Sequence, residues 1–496
     1  MDALEFFQPH SNWASPGSAD FHRAAGKSRL ALGMTVSRFL VQFLAIATAA
    51  RIIGPEEFGK AALVTIFLGF SDLLRDSGAY YLILQRANIS RTALRHLASL
   101  NTKIGWFLLA ACLSSSPFVV FATGTPDYFL LLTLASLSFP LNAIASAPTA
   151  ILQKNFEVRA LSIIDLASAS VSASICVALS VNHAGAAAVV AQTVVFVALR
   201  AAFVSAVCPI VFFDVRKKNT KISAVTKAAY WQVSWLKIFP FLAGNSDSAI
   251  AGMRFGHAGL GMYAQAFQLS AIPTTLVAGG LQPNAVTVFY KTKCISKQKD
   301  AYALYFGQVS GVLWPLATFL AIVASPLVTV VYGSQWSQVG EILLCLLGVS
   351  FAAPFGYLNN ALMRATRSTR ANFLWSVQSY LVSVSFYIVG SSFSINYLAL
   401  AFSCAAIFNA TIGTCLVFGF GSSQFIFVVR LLLKVAIPTL CFGLMAQVAL
   451  IALSLAGTCW VFLVLPCSFL AAILLCLCFK QTRSHYSWLT RSIVSK

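Results

Sequence analysis

The chain has 496 residues, of which 58% are hydrophobic and 10% are Asp, Glu, Lys or Arg, and its formal net charge is +20. A soluble domain carries about 25% charged residues, so this composition excludes a soluble globular enzyme, a disordered chain and a secreted disulfide scaffold. At about 20 apolar residues per crossing it suffices for about fourteen membrane-spanning helices, and apolar runs of that length exclude a β-barrel, whose strands alternate in polarity over about 10 residues.

Residues 1–27 read as a tail before the first span. They contain Asp2, Glu5, Asp20 and two prolines, whereas a signal peptide places a short apolar core directly behind a basic start. The first six spans are expected at Ser28–Ala50, Lys60–Ile83, Ser99–Ala122, Tyr128–Leu152, Ala160–Val181 and Ala187–Phe213. The next six fall at Ala228–Met253, Gly261–Leu281, Tyr305–Val331, Val339–Met363, Ala371–Val389 and Tyr397–Phe420. Leu431–Leu455 and Cys459–Phe479 close the series. The expected architecture is therefore all-α and polytopic, with two six-helix lobes (28–213 and 228–420), a basic linker (214–227), two appended spans (421–479) and a C-terminal tail (480–496).

Charge supports this count. Lys and Arg gather in every second loop: Arg86, Arg91 and Arg95; Lys154 and Arg159; Arg216, Lys217, Lys218, Lys221 and Lys227; Lys291, Lys293, Lys297 and Lys299; Arg364, Arg367 and Arg370; then both tails. The alternate loops hold only Arg51, Lys60 and Arg254, while Arg38, Arg75, Arg200 and Lys237 fall within spans. One missed helix would scramble this alternation, and the basic side is cytoplasmic. Both termini are thus expected in the cytoplasm, and the basic excess is topological rather than a nucleic-acid footprint. The 12 cysteines lie mostly within apolar runs and form no CxxC pair, which suits small core residues. No nucleotide loop, nucleophile elbow or zinc-protease motif occurs. We therefore expect no catalytic residue, no metal ligand set and no cofactor.

The chain repeats itself. Arg51-Ile-Ile-Gly54-Pro-Glu-Glu-Phe-Gly59 follows the first span, and Arg254-Phe-Gly256-His-Ala-Gly-Leu-Gly261 follows the seventh. An even number of spans separates the copies, so both lobes cross the bilayer in the same sense, the parallel type of transporter repeat. Each lobe opens with a buried cation: Arg38 and Lys237 lie about 14–15 Å into their spans at 1.5 Å per residue. Charges at that depth face a bundle interior or a wet cavity, and the ligand complementary to a basic cavity is an anion. The structural alternative pairs Arg38 and Lys237 with Asp72, Asp76 or Asp247. Asp72, Arg75 and Asp76 share one helical face; they line the cavity or pack on span one. Asp247 lies among Asn245, Ser246 and Ser248, an oxygen-rich patch suited to a hard coupling cation. Arg200 is expected to snorkel or pack within its lobe, with Asp165 near the interface. Pro240, Pro273 and Pro315 interrupt spans seven to nine and permit bends.

The first junction, with Phe67-Leu-Gly-Phe-Ser-Asp-Leu-Leu-Arg-Asp76-Ser-Gly78 and Gln85-Arg86, resembles the amino-terminal signature of bacterial polysaccharide transporters. These are the oligosaccharide-lipid flippases of the multidrug/oligosaccharidyl-lipid/polysaccharide exporter superfamily. Asn245-Ser-Asp247, Arg254-Phe-Gly256, Gly259-Leu-Gly261-Met-Tyr263, Ile272-Pro273 and Tyr332-Gly333-Ser-Gln-Trp336 resemble the same family's carboxy-terminal lobe. The likeness runs from about Ser28 to Phe420 and is greatest to the fourteen-span exopolysaccharide branch of succinoglycan-type exporters. It implies transport of undecaprenyl-pyrophosphate-linked oligosaccharide across the bacterial inner membrane by alternating access. Membrane lipids, a polysaccharide polymerase and export machinery are the implied partners. Under this reading Arg38 and Lys237 contact the pyrophosphate, and Arg51, Gly54, Gly59, Arg254, Gly256 and Gly261 shape the two junctions. The departures are a second junction one residue shorter and His257-Ala258 in place of Glu56-Glu57. Two other functions compete: a cation-coupled multidrug antiporter of the same superfamily, and a membrane-embedded glycosyltransferase or polymerase. Mid-depth cations disfavour the first, and short external loops disfavour the second.

Overall fold

A computed structural model of the chain describes residues 18–75, 78–85, 91–155, 157–208, 241–242, 244–291, 295–366 and 369–418, with a few single residues beyond. Among the described residues every regular element is helical and no strand occurs. Nine of these helices have the length and apolarity to cross a bilayer, as an all-α polytopic membrane protein requires. The linker 214–227 and the last span, with most of the one before it, lie outside the described residues, as does span seven before Phe241.

The chain divides into two compact units, residues 1–242 and 243–496. The first contains α1 (Ser18–Ile53), α2 (Pro55–Arg75), α3 (Gly78–Gln85), α4 (Arg91–Thr123), α5 (Asp127–Ser136), α6 (Ser138–Lys154), α7 (Val158–Val181) and α8 (Ala186–Val207). The second contains α9 (Ser246–Lys291), α10 (Ile295–Tyr332), a 3₁₀ turn at Ser334–Trp336, α11 (Gln338–Leu346), α12 (Gly348–Thr366), α13 (Thr369–Ser391) and α14 (Ile395–Phe418). Helix α1 starts upstream of the expected Ser28 and is about 54 Å long at 1.5 Å per residue. The expected second span, Lys60–Ile83, is met by two helices, α2 and α3.

Within the first unit α1 packs on α7, and α6 packs against α2, α3, α4 and α8. Small residues set these distances. A Cβ on Gly105 of α4 would lie 2.7 Å from the Ala143 Cβ of α6, and Asn101 Nδ2 donates to the Ala143 carbonyl at 3.2 Å. Where no hydrophobic effect drives helices together, close backbone approach supplies the packing energy. The reverse side of α4 carries Trp106, Phe107, Phe118 and Phe121, the last 87% exposed. Water would penalise such a row, whereas acyl chains solvate it. In the second unit Phe289, Tyr302, Phe306, Leu313, Trp314, Phe355, Leu358 and Leu362 form one buried cluster. A polar staple joins it: Tyr302 Oη donates to Asn359 Oδ1 at 2.9 Å, and Asn359 Nδ2 donates to the Ala410 carbonyl and Thr414 Oγ1, each at 3.0 Å.

The same sequence of breaks occurs in both units. Gly54 separates α1 from α2 with φ 83°, and Gly256 interrupts α9 with φ 69° and ψ −170°. Gly124 and Gly333, both with positive φ, follow α4 and α10. Leu137 divides α5 from α6 as Leu347 divides α11 from α12. Gly54 and Gly256 are glycines because a side chain is rarely tolerated there. Around Gly256 a Cβ would meet nothing within 4 Å, so backbone strain alone opposes substitution. We therefore expect Gly256→Val to lower stability by about 1–3 kcal/mol, read as a reduced melting temperature in detergent. A melt equal to that of the unchanged protein would show that this break is not a strained turn.

Candidate functional site

The first unit holds a charged cluster inside its helices. Asp165 lies on α7 and Arg200 on the neighbouring α8, each about 10 Å from the end of the pair where Val158 and Val207 lie. Arg200 Nε donates to Asp165 Oδ1 at 2.7 Å, and Arg38 Nη1, from α1, donates to Asp165 Oδ2 at 3.3 Å. Two guanidiniums thus share one carboxylate, and the cluster keeps a surplus positive charge. Its two ends differ. The Arg200 side chain is 9% exposed and the Arg38 side chain 24%. Arg200 Nη1 is buried and has no hydrogen-bond partner among the described residues. The Arg38 guanidinium also lies 4.8 Å from the centre of the Phe39 ring. Two cations to one anion make these three residues chemically complementary to a further anion.

The structural alternative read from the sequence offered Asp72, Asp76 or Asp247 as partners for Arg38 and Lys237. The geometry places Arg38 on Asp165 instead, because α1 packs along α7. Asp72 turns to α6 and accepts a hydrogen bond from the buried Asn142 Nδ2 at 3.3 Å. Arg75 ends α2, and its side chain, Asp76 and Lys237 lie outside the described residues. Arg200 packs within its lobe, paired with Asp165. Sequence reasoning passed over the Asp165–Arg200 pair. The available signal was two opposite charges at nearly the same distance from the joined ends of successive spans.

Asp247 occupies the first turn of α9 and is fully buried. Tyr263 Oη donates to its Oδ2 at 2.8 Å. The chain must reverse at Gly256 for these two to meet, so the pair staples the two limbs of the α9 hairpin. Asp247 Oδ1 has no hydrogen-bond partner among the described residues. The Asn245 carbonyl accepts the Ala249 amide at 3.0 Å as α9 begins. Aromatic rings close the region: Tyr263 stacks on Phe267, which meets Phe402 edge-on, and Phe402 stacks on Tyr387. Arg254 is exposed beside the break, and Gly261 is buried. No group of three or more His, Cys, Asp or Glu suited to a metal occurs among the described residues.

The first junction supports a second ionic centre. Arg51 is exposed in the last turn of α1, and Gly59 is buried in α2. Lys60, buried at 9% exposure, donates to Glu57 Oε1 at 2.7 Å and to Asp127 Oδ2 at 2.9 Å. Glu57 Oε2 accepts the Ala186 amide at 3.0 Å, at the start of α8. A Cβ on Gly185, whose φ is +56°, would lie 2.5 Å from that oxygen. One lysine thus ties the α1–α2, α4–α5 and α7–α8 turns. A crevice of about 540 Å³ opens beside them, lined by Glu57, Asp127, His183 and Leu130 among others.

Solved structures share this architecture. The chain aligns with the lipid II flippase MurJ in an inward closed conformation over 93% of its own length and 99% of that chain, with TM-score 0.68 and 14% identity. It aligns with an inward-facing multidrug resistance MATE family transporter of the MOP superfamily over 80% and 98%, with TM-score 0.62 and 12% identity. The fold is therefore that of a MurJ- and MATE-like transporter. The family described as "Polysaccharide biosynthesis protein" matches residues 49–341, more than half of the chain, and the chain belongs to that family. Similar proteins include an uncharacterized membrane protein in the cps region of Klebsiella pneumoniae, 24% identical over 67% of this chain and 70% of that one. The succinoglycan biosynthesis transport protein ExoT of Rhizobium meliloti (strain 1021) is 24% identical over 62% of each chain. The lipopolysaccharide biosynthesis protein WzxC of Escherichia coli (strain K12) is 22% identical over 70% of each.

Proposed function

We propose that the protein is a flippase for undecaprenyl-pyrophosphate-linked oligosaccharide repeat units. It moves them from the cytoplasmic to the periplasmic leaflet of the bacterial inner membrane, for exopolysaccharide or lipopolysaccharide synthesis, with both termini cytoplasmic. The observation that carries the reading is the Arg38–Asp165–Arg200 cluster, two cations to one anion within spanning helices. Family membership and relatives named for succinoglycan transport and lipopolysaccharide biosynthesis supply the class of cargo. A prenyl pyrophosphate head does not cross unaided, because burying its polar groups costs many kcal/mol. A guanidinium offers a planar donor fork for phosphate, and Lys237 would add a point charge from the second lobe.

In this reading lobes 28–213 and 228–420 alternate in access around a shared basic cavity, with Asp72, Arg75 and Asp76 on its wall. The prenyl tail stays in lipid, and no bond of the cargo is made or broken. The buried Asp247, with one oxygen unpartnered among the described residues, serves as the coupling carboxylate beside Asn245. A cation antiporter would need an acidic or aromatic cavity, and the surplus guanidinium opposes it. Deletion of the gene tests the reading. Undecaprenyl-pyrophosphate-linked oligosaccharide should accumulate on the cytoplasmic leaflet, measured by extraction and leaflet-selective labelling, and a plasmid copy should clear it. A deletion strain with normal polymer and no accumulated lipid would overturn it.

A further inference from the structure

We infer that Asp165 is a resident counter-anion that holds Arg38 between transport events, and that Arg200 is the residue that makes Arg38 releasable. The inference rests on the proposed pyrophosphate cargo and adds two residues to the site. Asp165 has two oxygens, and each faces a different guanidinium. Its contact with the buried Arg200 is short, at 2.7 Å; its contact with the more exposed Arg38 is longer, at 3.3 Å. The hydrogen bond to Arg200 is the stronger, because charge-assisted bonds strengthen as they shorten. Arg200 therefore anchors the carboxylate from one side and draws off its charge. Arg38's contact with that carboxylate is shared and longer, and Arg38 is the member with exposed surface. An arriving phosphate oxygen takes over the Arg38 donor, while Asp165 stays on Arg200 and stays compensated. On departure the carboxylate reclaims Arg38, which favours release. Without the anchor, Asp165 would neutralise Arg38 completely. Without the carboxylate, both guanidiniums would lose the anion they face within the helices, which the membrane penalises heavily. The arrangement thus keeps a phosphate-binding cation in the bilayer in a state that is both stable and exchangeable. Arg200 is a positioning residue here, acting on cargo through Asp165.

The test uses the full chain in lipid nanodiscs with undecaprenyl pyrophosphate as the probe and undecaprenol as the uncharged control. Arg200→Gln leaves Asp165 to Arg38 alone and should weaken pyrophosphate binding roughly tenfold. Adding Asp165→Asn to Arg200→Gln removes anchor and competitor together; binding should return to at least the wild-type level while the rate of release falls. Arg38→Gln should reduce the preference for pyrophosphate over undecaprenol to what Lys237 supplies, and to the same level whether Arg200 and Asp165 are present or replaced. A structural role for Arg200 predicts no recovery in the double variant, and that result, in protein that melts as a single species, overturns the inference. Should R200Q alone fail to fold, an R200Q/D165N protein that binds below the wild-type level overturns it equally. The underlying reading fails separately, if the unchanged protein shows no preference for pyrophosphate or if R38Q retains it in full.

Discussion

Replacing Arg38 and Lys237 together by alanine is expected to abolish polymer export while the protein still inserts. The sequence places the two cations at matching distances into the expected first spans of the two lobes, and the proposed cargo carries its charge on a pyrophosphate. Charge-assisted bonds to phosphate are about twice as strong as neutral ones, and transport needs them midway through the bilayer, where water does not replace them. The fold should tolerate the change at Arg38, because Asp165 retains Arg200 at 2.7 Å and the pair becomes balanced. Secretion measured in a strain lacking the native copy should fall to background, with membrane-fraction protein unchanged. Each single variant should retain part of the output, because one cation remains. Wild-type secretion from the double variant would remove the basic cavity from the mechanism, whatever the family. Loss of the protein from the membrane would instead assign Arg38 to folding, against the balance of charge just described.

The helical architecture was legible because the bilayer imposes a single demand: runs of apolar residues long enough to cross it. The glycine at each junction was legible too, since Gly54 and Gly256 stand at corresponding places in two similar motifs, and both adopt positive φ. Helix interruptions were less visible. The division of Tyr128–Leu152 at Leu137, and of Val339–Met363 at Leu347, falls within uniformly apolar sequence, where hydropathy carries no record of a local change of backbone. The long extension of α1 to Ser18 was hidden for the opposite reason, because its residues are too polar to register as a span.

Pairing of charges was the least legible feature. Counting depth along single spans identified Arg38 as a buried cation, yet several acids could reach it on that argument alone. The choice among them is made by helix packing, and α1 lies on α7 rather than meeting Asp72. Asp165 and Arg200 escaped notice because each was weighed singly against the membrane. Considered together, an acid and a base at nearly the same distance from the joined ends of α7 and α8 form a pair that the bilayer strongly favours over either alone. Asp247 shows the same limit: its neighbours in sequence suggested a cation patch, while its hydrogen bond comes from Tyr263, beyond the turn.

Lys60 gives the second large effect. Lys60→Met should lower stability by about 1–3 kcal/mol, between the small worth of exposed ion pairs and the 3–5 kcal/mol cost of breaking buried ones. The lysine is buried, so its own pairing is not replaced by water. Asp127 is more than half exposed and rehydrates in part, which keeps the cost below the buried limit. What remains is repulsion: Glu57 and Asp127 both face the place the ammonium held. Glu57 cannot swing away without giving up the Ala186 amide, and Gly185 packs behind its other oxygen. The strain therefore passes to the start of α8 and loosens the joined turns. Adding Asp127→Asn to Lys60→Met removes one of the opposed charges and should recover part of the lost melting temperature in detergent. Equal melts for the single and double variants would show that the lysine acts through packing of its alkyl chain and not by holding two carboxylates together.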